Sequence, residues 1–579
     1  MCARDAVTVL VREGFEHLTC LPAWEKAGVS KPEYRVVCKG TTMVAMRDGA
    51  RLATEIWVPD TAGKVPAILV RTPYGRLAKA NEYYRFVMRG YAVCIQDIRG
   101  LGDSEGEYVP KFHEKDDGFD TLEFLAAQPF CDGKIGMFGA SYLGCTQWSA
   151  AASGSQHLKA IVSIVTSGDP FTDLPRKGGA FNSGMMAWAF SVKEKQYSEK
   201  NAEGLDWPAI MKMRPIKDVP ERVFGEPIGF WSKWCAHEKY DEFWEACNWF
   251  AHKDKIKVPA LIVSGWYDDN GMATSQALEI AETYPLADKK AILGPWIHVG
   301  NANREVHGVK FGNNALRYDL DLLYQEWFDH KLKGLENGIS GGPRVEYYSV
   351  GDNRWMSCDH WPPENTRSTE LYLSSGGSAN SSGGDGTLSF SPPGSEGFDA
   401  YLFDPENPAP HIIDPAENEI CVPEDYTEME KRGDVLVYTS GAMERELAIA
   451  GDLLVEFYAG SSAPDTDWIV RVTDVDENGR SIRLCDGLLR AKFRNGFDRI
   501  DLLSPGKIER YRIRTTKIAN TFLKGHRIRL EITSGAENYI FPNPNTGANF
   551  FEDTESRRSE QKIFHGGAYP SRIILPVSL

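Results

Sequence analysis

The apolar positions of the chain change their period several times, and each change marks a different kind of element. Residues 1–33 hold no sustained pattern and read as an irregular or helical lead. From "TTMVAMRDGARLATEIWVPD" the chain is strand-like, with Asp48-Gly49 as a hairpin signal. Two short apolar runs follow, "VPAILVRTPYG" and "GYAVCIQDIRG", each ending in a loop. "EKDDGFDTLEFLAAQPF" then has helical spacing at Leu122, Leu125 and Ala126, and "GKIGMFGAS" and "LKAIVSIV" are further buried strands. Strands alternating with helices predict a parallel sheet covered by helices on both faces.

After Val165 the rhythm breaks. Residues 166–250 contain no comparable strand but hold Trp188, Trp207, Trp231, Trp234, Trp244 and Trp249. Aromatics at helical spacing are usual in a packed core. A small helical insertion beside an active site also needs aromatic walls for an apolar ligand. The strand–helix rhythm returns with "VPALIVSGWYD", a helix over 272–284, "KKAILGPWIH" and the helix "ALRYDLDLLYQEWFDHKLKG". From about residue 343 short alternating strands take over. In "HRIRLEIT", apolar Ile528, Leu530 and Ile532 alternate with Arg527, Arg529 and Glu531, and Asn478-Gly479 marks a hairpin. The Gly/Ser-rich 374–386 is a loop. The chain thus divides into an extension (1–33), an α/β core (34–165 and 251–342), a helical cap (166–250) and a C-terminal antiparallel β-sandwich (343–579).

Composition narrows the class. The apolar and charged shares, 42% and 25%, are those of a globular protein. No apolar run reaches the roughly 18–20 residues of a membrane span. Arg4, Asp5, Arg12 and Glu13 interrupt any signal-peptide core. A net charge of −16 argues against nucleic acid and anionic membranes as partners. The 11 cysteines form no C-x-x-C pair, which fits a reducing cytoplasm. No phosphate loop, dinucleotide fingerprint or calcium loop appears, so no cofactor and no metal is expected. Self-association is left open.

The candidate chemistry sits in "GKIGMFGASYLGCTQWSAA". Ser141 lies on a tight strand-to-helix turn, which projects its hydroxyl above the sheet beside free helix amides. Taken alone, the turn is equally a plain strand–loop–helix join, because the second glycine of G-x-S-x-G falls one place late, at Gly144. Cys145, on the same helix, reads as a packing residue. A nucleophile needs a base and an orienting acid. "VPALIVSGWYD" ends at Asp268 and "KKAILGPWIH" at His298, both just past predicted strands, where open α/β sheets carry their sites. Asp269 is the rival acid and His307 the rival base. The order Ser, Asp, His on three strand ends favours Ser141, Asp268 and His298.

With "RDGARLATEIWVPD", "RTPYG", "QDIRGLGDSEGEY", "SGWYD", "LGPWIH" and "NPNTG" in the same order, the chain from about residue 40 resembles the cocaine esterase (CocE/NonD) family. That family lies within the X-Pro dipeptidyl-peptidase-like α/β-hydrolases and shares the late glycine. The resemblance implies Ser141 as nucleophile, Asp268 as acid and His298 as base. It also implies an oxyanion hole made by the Tyr74 hydroxyl and the Tyr142 backbone N–H. It implies an α/β-hydrolase core with a helical cap and a C-terminal jelly-roll domain. Asp97 and Arg99 of "QDIRG" read as a structural ion pair bracing the strand end. Trp188, Asp269 and Asn270 are the candidate pocket residues, Asp269 as a partner for a substrate ammonium. The expected reaction is hydrolysis of a small-molecule carboxylic ester. The alternatives are an amidase or acylase, an X-Pro or α-amino-acid ester hydrolase on the same scaffold, and a non-catalytic binding protein.

Overall fold

The computed structural model describes residues 26–413 and 421–578. The lead expected over 1–33 therefore lies mostly outside the described residues; 26–35 form turns and bends, with Ser30 hydrogen-bonded to Asp329.

Ten strands form the catalytic sheet. They are β1 (Val36–Ala45), β2 (Arg51–Pro59), β3 (Val65–Thr72), β4 (Ala92–Asp97), β5 (Cys131–Ala140) and β6 (Leu158–Ile164). The rest are β7 (Ala260–Tyr267), β8 (Lys289–Ile297), β9 (Val345–Ser349) and β10 (Arg354–Cys358). Their spatial order is β1-β2-β4-β3-β5-β6-β7-β8-β9-β10. Pairing is parallel from β4 through β9 and antiparallel at both edges. Every residue of β4, β7 and β8 is buried, as a strand covered on both faces requires. Successive residues feed opposite cores. Leu69 belongs to the core shared with the helices Glu114–Ala126, Tyr142–Ala152 and Gly271–Ala281, while Ile68 and Val70 belong to the core shared with Leu320–Lys333.

Between β6 and β7 the chain folds five short helices, among them Gly184–Ser191 and Gly229–Ala236, around their own aromatic core. Phe493, Phe541, Phe550 and Phe551 of the C-terminal domain complete that core. The C-terminal domain is an eleven-stranded, mainly antiparallel sheet system. Three of its strands matter below: β11 (Leu447–Ser461), β12 (Glu509–Phe522) and β13 (Arg527–Thr533). The expected α/β-hydrolase core with a C-terminal antiparallel domain is what forms, but β9 and β10, which the expected boundary at residue 343 gave to the C-terminal domain, pair into the core sheet instead.

One alternation departs from expectation. Ile528, Leu530 and Ile532 are fully buried, but so is Glu531. Its carboxylate accepts from Arg471 at 2.7 Å, so this face is closed over an ion pair and not turned to water. Among the described residues no helix is long and apolar enough to cross a membrane.

Candidate active site

Ser141 sits between β5 and the helix Tyr142–Ala152 with φ 61° and ψ −123°, a strained conformation for a residue with a side chain. The neighbours explain how the chain tolerates it. Gly139 has φ +146°, and a Cβ there would lie 2.5 Å from the Leu143 Cβ. The late glycine has a packing cause as well. A Cβ at Gly144 would meet the Thr166 Cβ at 2.8 Å, where the chain leaving β6 crosses the helix. Leu143 thus occupies the position of the usual second glycine because Gly139 leaves it room.

Asp268 and His298 leave neighbouring parallel strands at one level, since Tyr267 of β7 is in register with Ile297 of β8. His298 Nε2 lies 3.0 Å from Ser141 Oγ, and Nδ1 lies 2.8 Å from Asp268 Oδ1. Asp268 is fully buried. Its Oδ1 also accepts the Asn270 N–H at 3.1 Å, and its Oδ2 accepts the Ser264 hydroxyl at 2.8 Å. Burial pushes the carboxyl up. The hydrogen bond and charge of His298, with the Asn270 and Ser264 donors, outweigh burial and hold it below the ordinary aspartate value.

Tyr74, on the loop after β3, is desolvated at its hydroxyl, which raises its pKa; hydrogen bonding with Trp188 and Ser141 acts against that rise. The Tyr142 phenol points away from this chemistry, accepting the Lys111 N–H at 2.7 Å and donating to Glu114 at 3.0 Å. Its backbone N–H is at the first position of the helix, where an amide has no intrahelical acceptor.

Ser141, His298, Tyr74 and Tyr142 open onto one cavity of about 800 Å³, counted with its open mouth. Trp188, Trp234, Trp244, Met185 and Leu174 make its wall apolar. The Trp188 ring lies nearly parallel to Tyr142 and Trp234, at 6.2 and 6.4 Å between centroids. Three of the six cap tryptophans thus face the cavity. Trp207 packs on Phe190, Trp231 lies in the cap core, and Trp249 stacks on Trp148.

Asp269 and Asn270 also line the cavity. Asp269 Oδ1 accepts the Cys421 N–H at 3.1 Å, and Asn270 Nδ2 donates to the Val165 carbonyl at 3.0 Å. Lys111 is a wall residue that sequence reasoning missed. Its ammonium is held by the Gly168 and Leu174 carbonyls at 3.0 and 2.9 Å, partners that no local motif announces. The rival base His307 is bonded to Glu424, and Cys145 is buried in the core.

The expected pairing of Asp97 with Arg99 is wrong. Asp97 accepts the Arg76 backbone N–H and guanidinium, both at 2.6 Å. Arg99 reaches Asp117 at 2.6 Å and Asp48 at 2.7 Å. Both residues are structural, but each braces the strand end through a residue distant in sequence.

Known proteins share this arrangement of domains. The X-Pro dipeptidyl-peptidase (S15 family) pattern matches residues 48–300, and the X-Pro dipeptidyl-peptidase C-terminal non-catalytic domain matches 337–574. Cocaine esterase of Rhodococcus sp. (strain MB1 Bresler) is 33% identical over 564 residues, covering 92% of this chain and 97% of its own. An aminopeptidase from the marine-sediment archaeon Thaumarchaeota archaeon superposes with a TM-score of 0.81 at 25% identity, covering 95% of this chain and 98% of that one. An α-amino acid ester hydrolase gives 0.80 at 25% identity, covering 98% of this chain and all of that one. With near-complete coverage at that identity, the chain belongs to the cocaine esterase (CocE/NonD) family of serine hydrolases, in the X-Pro dipeptidyl-peptidase-like group of α/β-hydrolases.

Proposed function

We propose that the protein hydrolyses carboxylic esters of aryl or bulky apolar acids through an acyl-enzyme on Ser141. The observation that carries this reading is the hydrogen-bonded chain from Asp268 through His298 to Ser141, opening onto an aromatic cavity. Ser141 Oγ attacks the ester carbonyl as its proton passes to His298 Nε2. Asp268 keeps the Nδ1 proton in place and stabilises the imidazolium. The Tyr74 hydroxyl and the Tyr142 N–H donate to the oxyanion. The tetrahedral intermediate then expels the alcohol, which takes the proton from His298. Water repeats the sequence and releases the acid. A small-molecule substrate fits the cavity, and a reducing, cytoplasmic setting is supported by the free cysteines among the described residues.

One observation favours a second reading. Asp269 places a carboxylate on the cavity wall, where a substrate ammonium would find it, as an amino-acid ester or peptide hydrolase requires. Labelling with a fluorophosphonate, followed by peptide mapping, tests the nucleophile; modification anywhere but Ser141 would refute it. An ester and an amide sharing one aryl acyl group, assayed beside an amino-acid ester, separate the readings. We expect the neutral ester to have the highest kcat/KM. A higher value for the amino-acid ester would transfer the proposal to the second reading.

A further inference from the structure

The turn that carries Asp268 is gripped by two buried ammonium groups, neither of which takes part in the chemistry above. Lys177, at the start of the cap, donates to the Asp269 carbonyl. Lys517, on β12 of the C-terminal domain, donates to the Gly271 carbonyl at 3.0 Å. Both side chains are buried, Lys517 completely. A buried ammonium is costly unless its charge is answered. Asp268 acts on Lys517 most strongly, ahead of Asp452 of β11 and Asp173 of the cap entry, while Arg514 on its own strand opposes them. Lys177 shares Asp173, at 3.6 Å.

The contact surface around Lys517 is built to bring it close. Thr516 lies against Gly271, where an added Cβ would meet its methyl at 3.0 Å. One turn further along, Asp452 accepts the Ser275 hydroxyl at 2.8 Å and the Arg514 guanidinium at 2.7 Å. Gly271 in turn donates its N–H to the Asp268 carbonyl at 3.0 Å, so the Lys517 bond acts on the turn that holds the acid.

We propose that Lys517 is a positioning residue for the catalytic acid: it pins the Asp268–Gly271 turn through the Gly271 carbonyl, and its positive charge acts on the Asp268 carboxylate from there. This makes the C-terminal domain part of the catalytic unit. The inference rests on Asp268 being the acid of the reaction proposed above. Burial is the main force lowering the proton affinity of Lys517, to a pKa of about 8, and its acidic neighbours resist that fall.

The sign of the effect on His298 follows from charge. A cation near the dyad disfavours the imidazolium, so removing it makes protonation of the base easier. The acid limb of the kcat/KM profile, which reports the base in the free enzyme, should move to higher pH. We expect Lys517→Gln and Lys517→Met each to shift that limb up by about half a unit to one unit. Loss of the bond to the Gly271 carbonyl loosens the turn, so we expect kcat to fall about tenfold with KM changed less than about twofold; the lost charge by itself acts the other way, easing formation of the imidazolium. Lys517→Arg, which restores the charge, should restore the limb. A wild-type limb in a folded neutral variant would overturn the proposal. Should both neutral variants fail to fold, Lys517→Arg decides: its guanidinium keeps the charge but alters the bond to the Gly271 carbonyl, so a wild-type limb with a lowered kcat supports the proposal, and a displaced limb or an unchanged kcat overturns it. Asp268→Asn runs alongside. If it stays fully active, the assignment of the acid has failed; if it is impaired while neutral Lys517 variants are normal, only the lysine inference has failed.

Discussion

Replacing Asp268 with Asn is the most informative single change, because the structure fixes how the new amide must sit. Asp268 Oδ1 accepts from two donors, the His298 Nδ1–H and the Asn270 N–H, whereas Oδ2 accepts, among the described residues, only from Ser264. An amide satisfies this set best with its oxygen at Oδ1 and its NH₂ toward Ser264. The Ser264 hydroxyl already accepts from Thr274 at 2.9 Å and has a second lone pair, so it can turn and accept from the amide. The His298 tautomer is therefore kept, and the loss is that of the anion. Two charges about 4 Å apart at an effective dielectric constant near 20 interact by about 4 kcal/mol. That corresponds to roughly a 10³-fold loss in kcat. A reversed amide, donating to His298, would give the wrong tautomer and about 10⁴-fold.

The assay is turnover of a neutral aryl ester across pH, with circular dichroism to establish folding and Asp269→Asn as control. We expect Asp269→Asn to leave the neutral ester nearly unaffected. Activity of folded Asp268→Asn within tenfold of wild type would refute the reasoning, as would an inactive Asp269→Asn beside an active Asp268→Asn. Stability carries a second signature. The Asp268 carboxyl is held below its ordinary value, so its contribution is present above about pH 4 and is lost as pH falls through the folded-state value. The asparagine variant should lose that part of its acid sensitivity in thermal melts.

Ser141→Ala should abolish turnover, with a loss on the order of 10⁶-fold, and remove fluorophosphonate labelling while the melting temperature holds; near-normal turnover would exclude Ser141 as nucleophile. Tyr74→Phe removes a donor that we propose for the oxyanion and should lower kcat by roughly 10²–10³-fold with little change in KM; unchanged turnover would assign the oxyanion to other donors. Gly144→Ala forces a methyl against Thr166 and should destabilise the protein by about 1–3 kcal/mol in denaturant unfolding, so a wild-type midpoint would show that the crossing is looser than described.

The sheet was legible because its strands are covered on both faces, so β7 and the part of β8 after Lys290 appear as mainly apolar runs that end at Asp268 and His298. The tight turn at Ser141 was legible because a strained turn requires small neighbours, and Gly139 and Ala140 are adjacent in sequence. The errors share a physical origin. Arg99 answers Asp48 and Asp117, and Asp97 answers Arg76, pairings made by folding and invisible to local spacing. Glu531 follows a surface-like alternation yet is buried, because Arg471 meets it from another strand. In the cap, periodicity cannot tell which aromatic faces a cavity. Trp234 and Trp231 share one helix, but only Trp234 reaches the wall.

The same reasoning explains why the acid loop could be located from sequence while its support could not. Four consecutive residues between them hold the core, the cap and the C-terminal domain. Asp268 bonds His298 of the core. Asp269 accepts from Cys421 through its carboxylate and from Lys177 through its carbonyl. Asn270 donates to Val165, whose φ of 42° marks the bend where the core hands the chain to the cap. Gly271 accepts from Lys517. These partners lie 30, 152, 92, 105 and 246 residues away, so no window of sequence contains them. A loop is ordinarily the most mobile element of a fold. This one is tied to core, cap and C-terminal domain at once, which fixes Asp268, the acid we propose, against His298 before substrate arrives. An orienting carboxylate that depends on sub-ångström placement gains most from such support. It also gives the distant β-domain a physical reason to be joined to the hydrolase core in one chain.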